Sequence, residues 1–441
     1  MPLASPGETL FPVLKNEFRR VRTALWFRPG ALCIVAALAA ALLATIDGIL
    51  PPGSLVWLPE VEVATVKELM KLLAGSMLTV ATVTLSVIML VLSLAAGQAS
   101  PRAVPEIMGD PVTQNALSTF LATFVYALTA LMLFGFGAVE RSGVTLSFLG
   151  ALLLVLNAVR YLVQWIHHVA EILKINHIIA RIHRQARTVL KTYLNEEQEL
   201  RCGERLAVSG EPRVIRPTST GYVQLIDADR LHQLACEHDL VVQFCVQEGD
   251  FVHPHCRLME IHGNLPGEDA LAALRANAVV GFERSHEGDP RFGFELLAEV
   301  ACRALSPGVN DPQSALACIN YLGALLAMAG ATAKADYPSA VSADGRVASV
   351  RPDFAAMLER AYRPVMRDGA GSAEVICAIM AVLKDLTGLV ATDYLEALVG
   401  EAERAEAFGK ASLTLDVDKQ ALARLTEALR EVAASRANAG R

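Results

Sequence analysis

Residues 69–96 have the sequence LMKLLAGSMLTVATVTLSVIMLVLSLAA, in which Lys71 is the single charged side chain. A helix rises about 1.5 Å per residue, so this run exceeds the ~30 Å hydrocarbon core of a bilayer. Comparable apolar runs occupy residues 31–50, 116–139 and 144–166. Because a segment in lipid must satisfy its own backbone hydrogen bonds, these runs predict four transmembrane helices.

Flanking charges predict how these helices are oriented. Residues 15–28, before the first run, and residues 174–191, after the fourth, each contain five Lys or Arg. The segment between the first two runs instead contains Glu60 and Glu62. The positive-inside rule therefore predicts that both chain termini lie in the cytoplasm, and four spans require the same parity.

Composition also separates a membrane part from a water-soluble part. Hydrophobic residues make up 53% of the 441 residues, and the mean hydropathy of +0.38 is high for a soluble protein. The net charge of −7 argues against a nucleic-acid binder. Eight cysteines without a C-x-x-C pair suit a reducing compartment.

These observations predict an α-helical membrane protein with a cytoplasmic α+β region. Residues 167–194 contain no Pro or Gly and keep helical spacing, so we expect the fourth span to continue as a helix into the cytoplasm. The predicted parts are a cytoplasmic N-terminal segment (1–30), a four-helix transmembrane domain (31–166), a helical linker (167–205), a β-rich module (206–262) and a mainly helical domain (263–441).

Three of the predicted spans carry polar side chains along one face; in the third these are Asn115, Thr119, Thr123 and Tyr126. At 100° per residue, the second span aligns Thr79, Thr82 and Ser86, and the fourth aligns four more polar residues. Such a face either packs closely against another helix or lines a pore. Arg160, near the cytoplasmic end, has the further alternative of reaching the lipid headgroups. The predicted polar seam of the fourth span is Asn157, Arg160, Gln164 and His168.

Short β-branched runs separated by Gly, Pro and Asp predict strands within residues 206–262. Gly221-Tyr222-Val223 and the later Glu248–Val252 stretch resemble the biotinyl/lipoyl-like barrel-sandwich module. In that module a lysine is the modification site, and residues 206–262 contain no lysine. The resemblance therefore implies a structural or docking role. A cluster of possible metal ligands comprises His253, His255, Cys256 and His262. Because His253-Pro254-His255 falls on a predicted turn, where polar residues face water, we expect no metal site. We also expect no cofactor.

The densest motif lies between residues 281 and 325. Asp289-Pro290 and Asp311-Pro312 each resemble a helix N-cap followed by Pro at the first helical position. The two helices they begin form a predicted helical hairpin. Capping and turn formation explain these residues, with a ligand or partner site as the alternative; that candidate site is Arg284, Asp289, Arg303, Asn310 and Asp311.

The run from Ala304 to Pro312, ALSPGVNDP, and the earlier stretch from Gln98 to Arg102, QASPR, resemble a bacterial family of predicted four-span membrane proteins. That family is known only as a domain of unknown function. The resemblance extends over essentially the whole chain. It implies residence in the bacterial cytoplasmic membrane and implies no activity.

Two classes of function are therefore predicted. The first is a homo-oligomeric channel or transport-like protein with a cytoplasmic regulatory domain. The second is a membrane-anchored sensor or scaffold that binds a ligand or protein through its cytoplasmic domain. An enzyme is third, because the sequence contains no nucleophile elbow, Walker loop or dinucleotide fingerprint. The predicted partners are membrane lipid and further copies of the chain, without nucleic acid; a cytoplasmic partner is unknown.

Overall fold

The computed structural model describes residues 26–44, 61–98, 110–137, 139, 141–172, 174–200, 211–263, 267–285, 288–331, 339–342, 344–350 and 353–439. The chain forms two compact units. The N-terminal unit comprises Lys15–Gly97 and Pro101–Lys174, and the C-terminal unit is mainly Ile175–Arg441.

The described part of the N-terminal unit contains four helices: α1 (Phe27–Ala44), α2 (Val63–Gln98), α3 (Pro111–Gly135) and α4 (Arg141–Ile172). By length and composition α2, α3 and α4 can cross a membrane, as the second, third and fourth apolar runs predict. The apolar part of α1, Phe27–Leu43, is shorter. Residues 45–50 of the first predicted span lie outside the described residues.

Helix α3 begins earlier than its apolar run predicts, because its first turns are polar and capped. The Asp110 carboxylate accepts the backbone N–H of Thr113 at 2.9 Å, and Pro111 occupies the first helical position. Helix α4 ends at Ile172, and a new helix begins at Ile175. The predicted uninterrupted extension of the fourth span is thus wrong at this point, where neither Pro nor Gly marks the break.

Small side chains allow the helices of the N-terminal unit to approach closely. Ala36, Ala40 and Ala127 are fully buried or nearly so. Tyr126 is buried beside them and donates its hydroxyl to the carbonyl oxygen of Ser147 at 2.9 Å. A methyl group added at Gly150 would lie 2.4 Å from that Tyr126 hydroxyl, so this position requires glycine.

The C-terminal unit begins with α5 (Ile175–Leu200) and continues with a β-rich part. Its strands form a five-stranded sheet of order β1-β5-β3-β8-β7 and a three-stranded sheet of order β4-β2-β6. The β3–β8 pair is parallel, and the other pairs are antiparallel. The elements are β1 (Arg213–Ile215), β2 (Gly221–Ile226), α6 (Ala228–Glu237), β3 (Leu240–Phe244), β4 (Phe251–Val252), β5 (Met259–Gly263), α7 (Glu268–Ala276) and β6 (Ala278–Gly281).

A helical part completes the C-terminal unit, with one hairpin in it that returns to the first sheet. Its elements are α8 (Pro290–Ala304), α9 (Pro312–Ala329), β7 (Ser339–Val341), β8 (Val347–Val350), α10 (Phe354–Gly369), α11 (Ala373–Leu389), α12 (Leu395–Ser412) and α13 (Asp416–Ala439). The predicted strands and the helical hairpin are confirmed. Both sheets also include strands from beyond residue 262, so the β-rich part extends past the predicted module.

The apolar helix α9 and the amphipathic helix α5 both pack in the core of the C-terminal unit. Helix α9 is long and apolar enough to span a membrane, but Cys318, Ile319 and Leu322 on it are fully buried in the C-terminal unit. Helix α5 packs against α8 so closely that a methyl group at Gly293 would lie 2.2 Å from the Cβ atom of Ala186. The segment predicted as a linker therefore contributes α5 to the core of this unit.

Candidate functional site

Six charged side chains meet where the β-rich and helical parts of the C-terminal unit join; we call them the charge cluster. They are Arg284, Asp289, Arg291, Glu295, Asp250 and Arg360. Asp289 caps α8 and is fully buried, with its Oδ1 atom 3.0 Å from Nε of Arg291. Its other oxygen pairs with Arg284, which also pairs with Glu295. The cluster balances three cations against three anions.

Arg291 links α8 to the turn before β4. Its side chain is 4% exposed, and Nη1 lies 3.0 Å from Oδ1 of Asp250. Its Nη2 donates to the carbonyl oxygen of Glu248 at 2.6 Å. The Arg291 guanidinium therefore binds both ends of the Glu248-Gly249-Asp250 turn and the N-cap of α8. The Asp289-Pro290-Arg291 motif thus connects the β-rich part of the unit to its helical part.

Two glycines permit this close approach. Gly249 has φ +84°, and a Cβ atom there would lie 1.8 Å from Oδ2 of Asp289. Gly288 has φ +80°, and its Cβ atom would approach the Cγ atom of Glu248 to 3.0 Å. Both positions favour glycine for conformational reasons. Burial alone would lower the pKa of Arg284, but the carboxylates of Asp289 and Glu295 raise it above its ordinary value.

The remaining predicted site residues lie at the opposite end of α8. Arg303 occupies the last turn of α8, Asn310 has φ +49°, and Asp311 caps α9. Hydrogen bonds from Ser314 hold the pKa of Asp311 below its ordinary value. Helix α8 has 15 residues and is about 22 Å long at 1.5 Å per residue. The structure thus brings Arg284 and Asp289 together and places the other three elsewhere.

In the N-terminal unit, the predicted polar seam faces outward. Thr79, Thr82 and Ser86 are exposed, and each donates its hydroxyl to the carbonyl oxygen four residues earlier in α2. Arg160 and Gln164 are exposed on α4. The Arg160 guanidinium lies 4.5 Å from the ring centroid of Tyr161. Asn157 and His168, the two other members, are partly covered.

The predicted polar row of the third span, on α3, lies in the interior of the N-terminal unit. Ser118, Thr119 and Thr123 are buried, and their hydroxyls donate to carbonyl oxygens of the preceding turn at 2.6–2.8 Å. At one end of this row, Nε2 of His168 lies 2.8 Å from Oδ2 of the buried Asp110. His168 of the predicted seam thus connects α4 to the N-cap of α3.

One further cluster of described residues has the donor atoms for a metal ion. His232 and Cys236 lie one turn apart on α6, and Asp344 belongs to the β7–β8 turn. Nε2 of His232 is 2.7 Å from Oδ2 of Asp344, and Sγ of Cys236 is 3.8 Å from each of these atoms. No local sequence pattern indicates this cluster, because more than one hundred residues separate its two parts.

Comparison with known proteins places these features in a family. A family model described as "Predicted membrane protein (DUF2254)" matches residues 22–385. The chain is 25% identical over 329 residues to the uncharacterized protein Mb1321c of Mycobacterium bovis and to the uncharacterized protein Rv1290c of Mycobacterium tuberculosis. These matches cover 70% of this chain and 61% of each relative, so the chain spans about three fifths of their length. No solved structure matches. Since the family model covers most of the chain, the protein belongs to the DUF2254 family of predicted membrane proteins.

Proposed function

We propose that this membrane protein is a homo-oligomeric channel or transport-like protein whose path for ions or small polar solutes lies between copies. The observation that carries this proposal is the outward direction of the polar face of α2. At 100° per residue, Thr79, Thr82 and Ser86 lie about 100–180° from the buried side chains of Met70 and Ala81. The polar side chains therefore lie on the exposed side of α2, beside the exposed apolar side chains of Leu72 and Leu90.

Helix α4 supports the same arrangement through its exposed cation. Arg160 lies 16 residues beyond Val144, or about 24 Å along the predicted span. A lipid-facing Arg costs about 2.5–3.5 kcal/mol at the centre of a membrane helix on insertion scales, and less toward the helix end, where Arg160 lies. Contact with a second copy or with a water-filled path removes this cost, and small residues such as those of α2 are typical of helix–helix contacts in membranes. The alternative for Arg160 is contact with lipid headgroups.

Cross-linking tests the proposed contact between copies. Disulfide formation between copies is expected for Ser86→Cys, on the outward face of α2, in membranes treated with a mild oxidant. The matched control is Ile88→Cys on the same helix, because Ile88 is buried within one chain. Equal cross-linking by the two variants, or a monomer in nanodiscs, would refute the proposal.

Solute flux tests the path itself. Proteoliposomes containing the protein are expected to release small ions under voltage or osmotic shock, and Arg160→Leu is expected to change the rate or the ion preference. The control is Ile166→Ala, which alters an exposed apolar side chain about 120° around α4 from Arg160. An oligomer without flux would contradict the transport function, and recovery of a specific protein by the full chain would then support the sensor or scaffold function.

We also propose that both termini and the C-terminal unit lie in the cytoplasm. The cations of residues 15–28 and 174–191 support this orientation. A green fluorescent protein fused to the C-terminus is expected to fluoresce, and alkaline phosphatase fused at the same place is expected to be inactive. The reverse pair of results would contradict the orientation.

A further inference from the structure

We propose that His232, Cys236 and Asp344 form a binding site for one divalent transition-metal ion of the Zn²⁺ type. This site is independent of the proposed transport function. The three side chains offer one imidazole nitrogen, one thiolate and one carboxylate oxygen, which are the ligands that zinc takes in proteins. An ion there would tie the β7–β8 hairpin to α6.

The separations of the donor atoms fit such an ion. With metal–ligand distances of about 2.0–2.3 Å, ligand atoms at the corners of a tetrahedron lie about 3.4–3.6 Å apart. Sγ of Cys236 lies 3.8 Å from both Nε2 of His232 and Oδ2 of Asp344. The nitrogen and oxygen are 2.7 Å apart as a hydrogen-bonded pair, so metal binding replaces that hydrogen bond and moves them apart by about 0.7 Å.

The carboxylate is already oriented by its own hairpin. Oδ1 of Asp344 accepts the hydroxyl of Ser342 at 2.7 Å and the backbone N–H of Arg346 at 3.2 Å. These two bonds leave Oδ2 directed at His232 and Cys236. Outer hydrogen bonds of this kind orient the ligands of metal sites. Burial works against the charged form, but the bonds from Ser342 and His232 outweigh it and keep the pKa of Asp344 well below its ordinary value.

The position of α6 explains the helical half of the site. Residues four apart on a helix share one face, so His232 and Cys236 present their donor atoms side by side. The exposed side of the cluster leaves room for a water or a small solute as the fourth ligand. Arg346 is the neighbouring cation, with Nε 3.6 Å from Oδ2 of Asp344, but its Nη1 atom pairs with Asp239 at 2.9 Å.

Metal titration of the full-length protein tests this inference. The protein, purified in detergent without a polyhistidine tag and stripped with a chelator, is titrated with Co²⁺ and then with Zn²⁺. We expect one Co²⁺ per chain, a thiolate-to-cobalt charge-transfer band and displacement of Co²⁺ by Zn²⁺. Cys236→Ser is expected to lose the band. His232→Ala and Asp344→Asn are each expected to weaken binding by at least about tenfold, the lower range for changes around a metal site.

Cys256→Ser is the matched control, because Cys256 is partly buried and has two histidines nearby in the His253–Cys256 turn. Its sulfur donates to the carbonyl oxygen of His253 at 2.9 Å, and we expect this variant to keep the band. A band that survives Cys236→Ser, a band lost with Cys256→Ser, or no stoichiometric binding would each overturn the proposal. Unchanged melting temperatures of the metal-free variants show that loss of binding does not come from unfolding.

Discussion

Removal of the Asp289 carboxylate is expected to destabilise the C-terminal unit by about 4 kcal/mol. Asp289→Ala abolishes the N-cap of α8, which contributes about 1 kcal/mol. It also leaves the charge cluster with three cations and two anions, around an Arg291 side chain that is 4% exposed. Arg291 keeps its pair with Asp250 and Arg284 keeps its pair with Glu295, but the cluster then contains one buried positive charge that no anion balances. Such an uncompensated buried charge costs about 3 kcal/mol or more.

Thermal unfolding of the full-length protein in detergent, followed by calorimetry, measures this loss. For a domain of this size, 1 kcal/mol lowers the melting temperature by roughly 2–4 °C, so Asp289→Ala should lower it by roughly 8–16 °C. Asp289→Asn retains an oxygen that can cap α8 and removes only the charge. We therefore expect a smaller decrease for Asp289→Asn, close to about 3 kcal/mol.

Asp353→Ala is the matched control, because Asp353 caps α10 without belonging to the charge cluster. Its side chain accepts the backbone N–H of Ala356 at 2.8 Å, and the residue is exposed. Loss of that cap alone should cost about 1 kcal/mol. If Asp289→Ala and Asp353→Ala lower the melting temperature equally, the charge cluster adds nothing beyond a helix cap, and the reasoning is refuted.

Three other substitutions, one of them a control, test the close approach at Gly249 and the burial of Glu401. Gly249→Ala should lower the free energy of unfolding by at least about 2 kcal/mol in the same melting experiment, because it combines a left-handed backbone with a clash against Asp289. Gly308→Ala is the control: it adds its methyl group in open space and should change stability by less than about 0.5 kcal/mol. Burial raises the pKa of Glu401 above its ordinary value of 4.5, so native Glu401 binds its proton more tightly than unfolded Glu401 does. The free energy of unfolding therefore falls as the pH rises from the unfolded pKa through the native pKa. Glu401→Gln should therefore raise the melting temperature at neutral pH and reduce its pH dependence, and equal pH profiles for wild type and variant would contradict this account.

Local patterns were enough to predict most secondary structure. Apolar runs predicted α2, α3 and α4, and Asp-Pro pairs predicted where α8 and α9 begin. Hydrophobic periodicity, capping and turn formation depend on residues within a few positions of one another, and a single sequence displays them directly. The ALSPGVNDP and QASPR runs also indicated the correct family.

Contacts between distant segments required the tertiary structure. Arg291 binds Asp250 across 41 residues, and Asp344 meets His232 across 112. The predicted site around Arg284 grouped residues that are near in sequence, whereas α8 separates them by its length.

The sequence by itself determined the membrane class, the family and the identity of the polar faces, because these follow from composition and local spacing. Only the tertiary structure decided that the α2 face with Thr79 points outward and that α5 packs in the core of the C-terminal unit. It also decided that the Asp289-Pro290-Arg291 motif connects the β-rich and helical parts of that unit. The physical reason is that periodicity shows which side chains share a face of a helix. The neighbours that cover that face depend on how the whole chain packs.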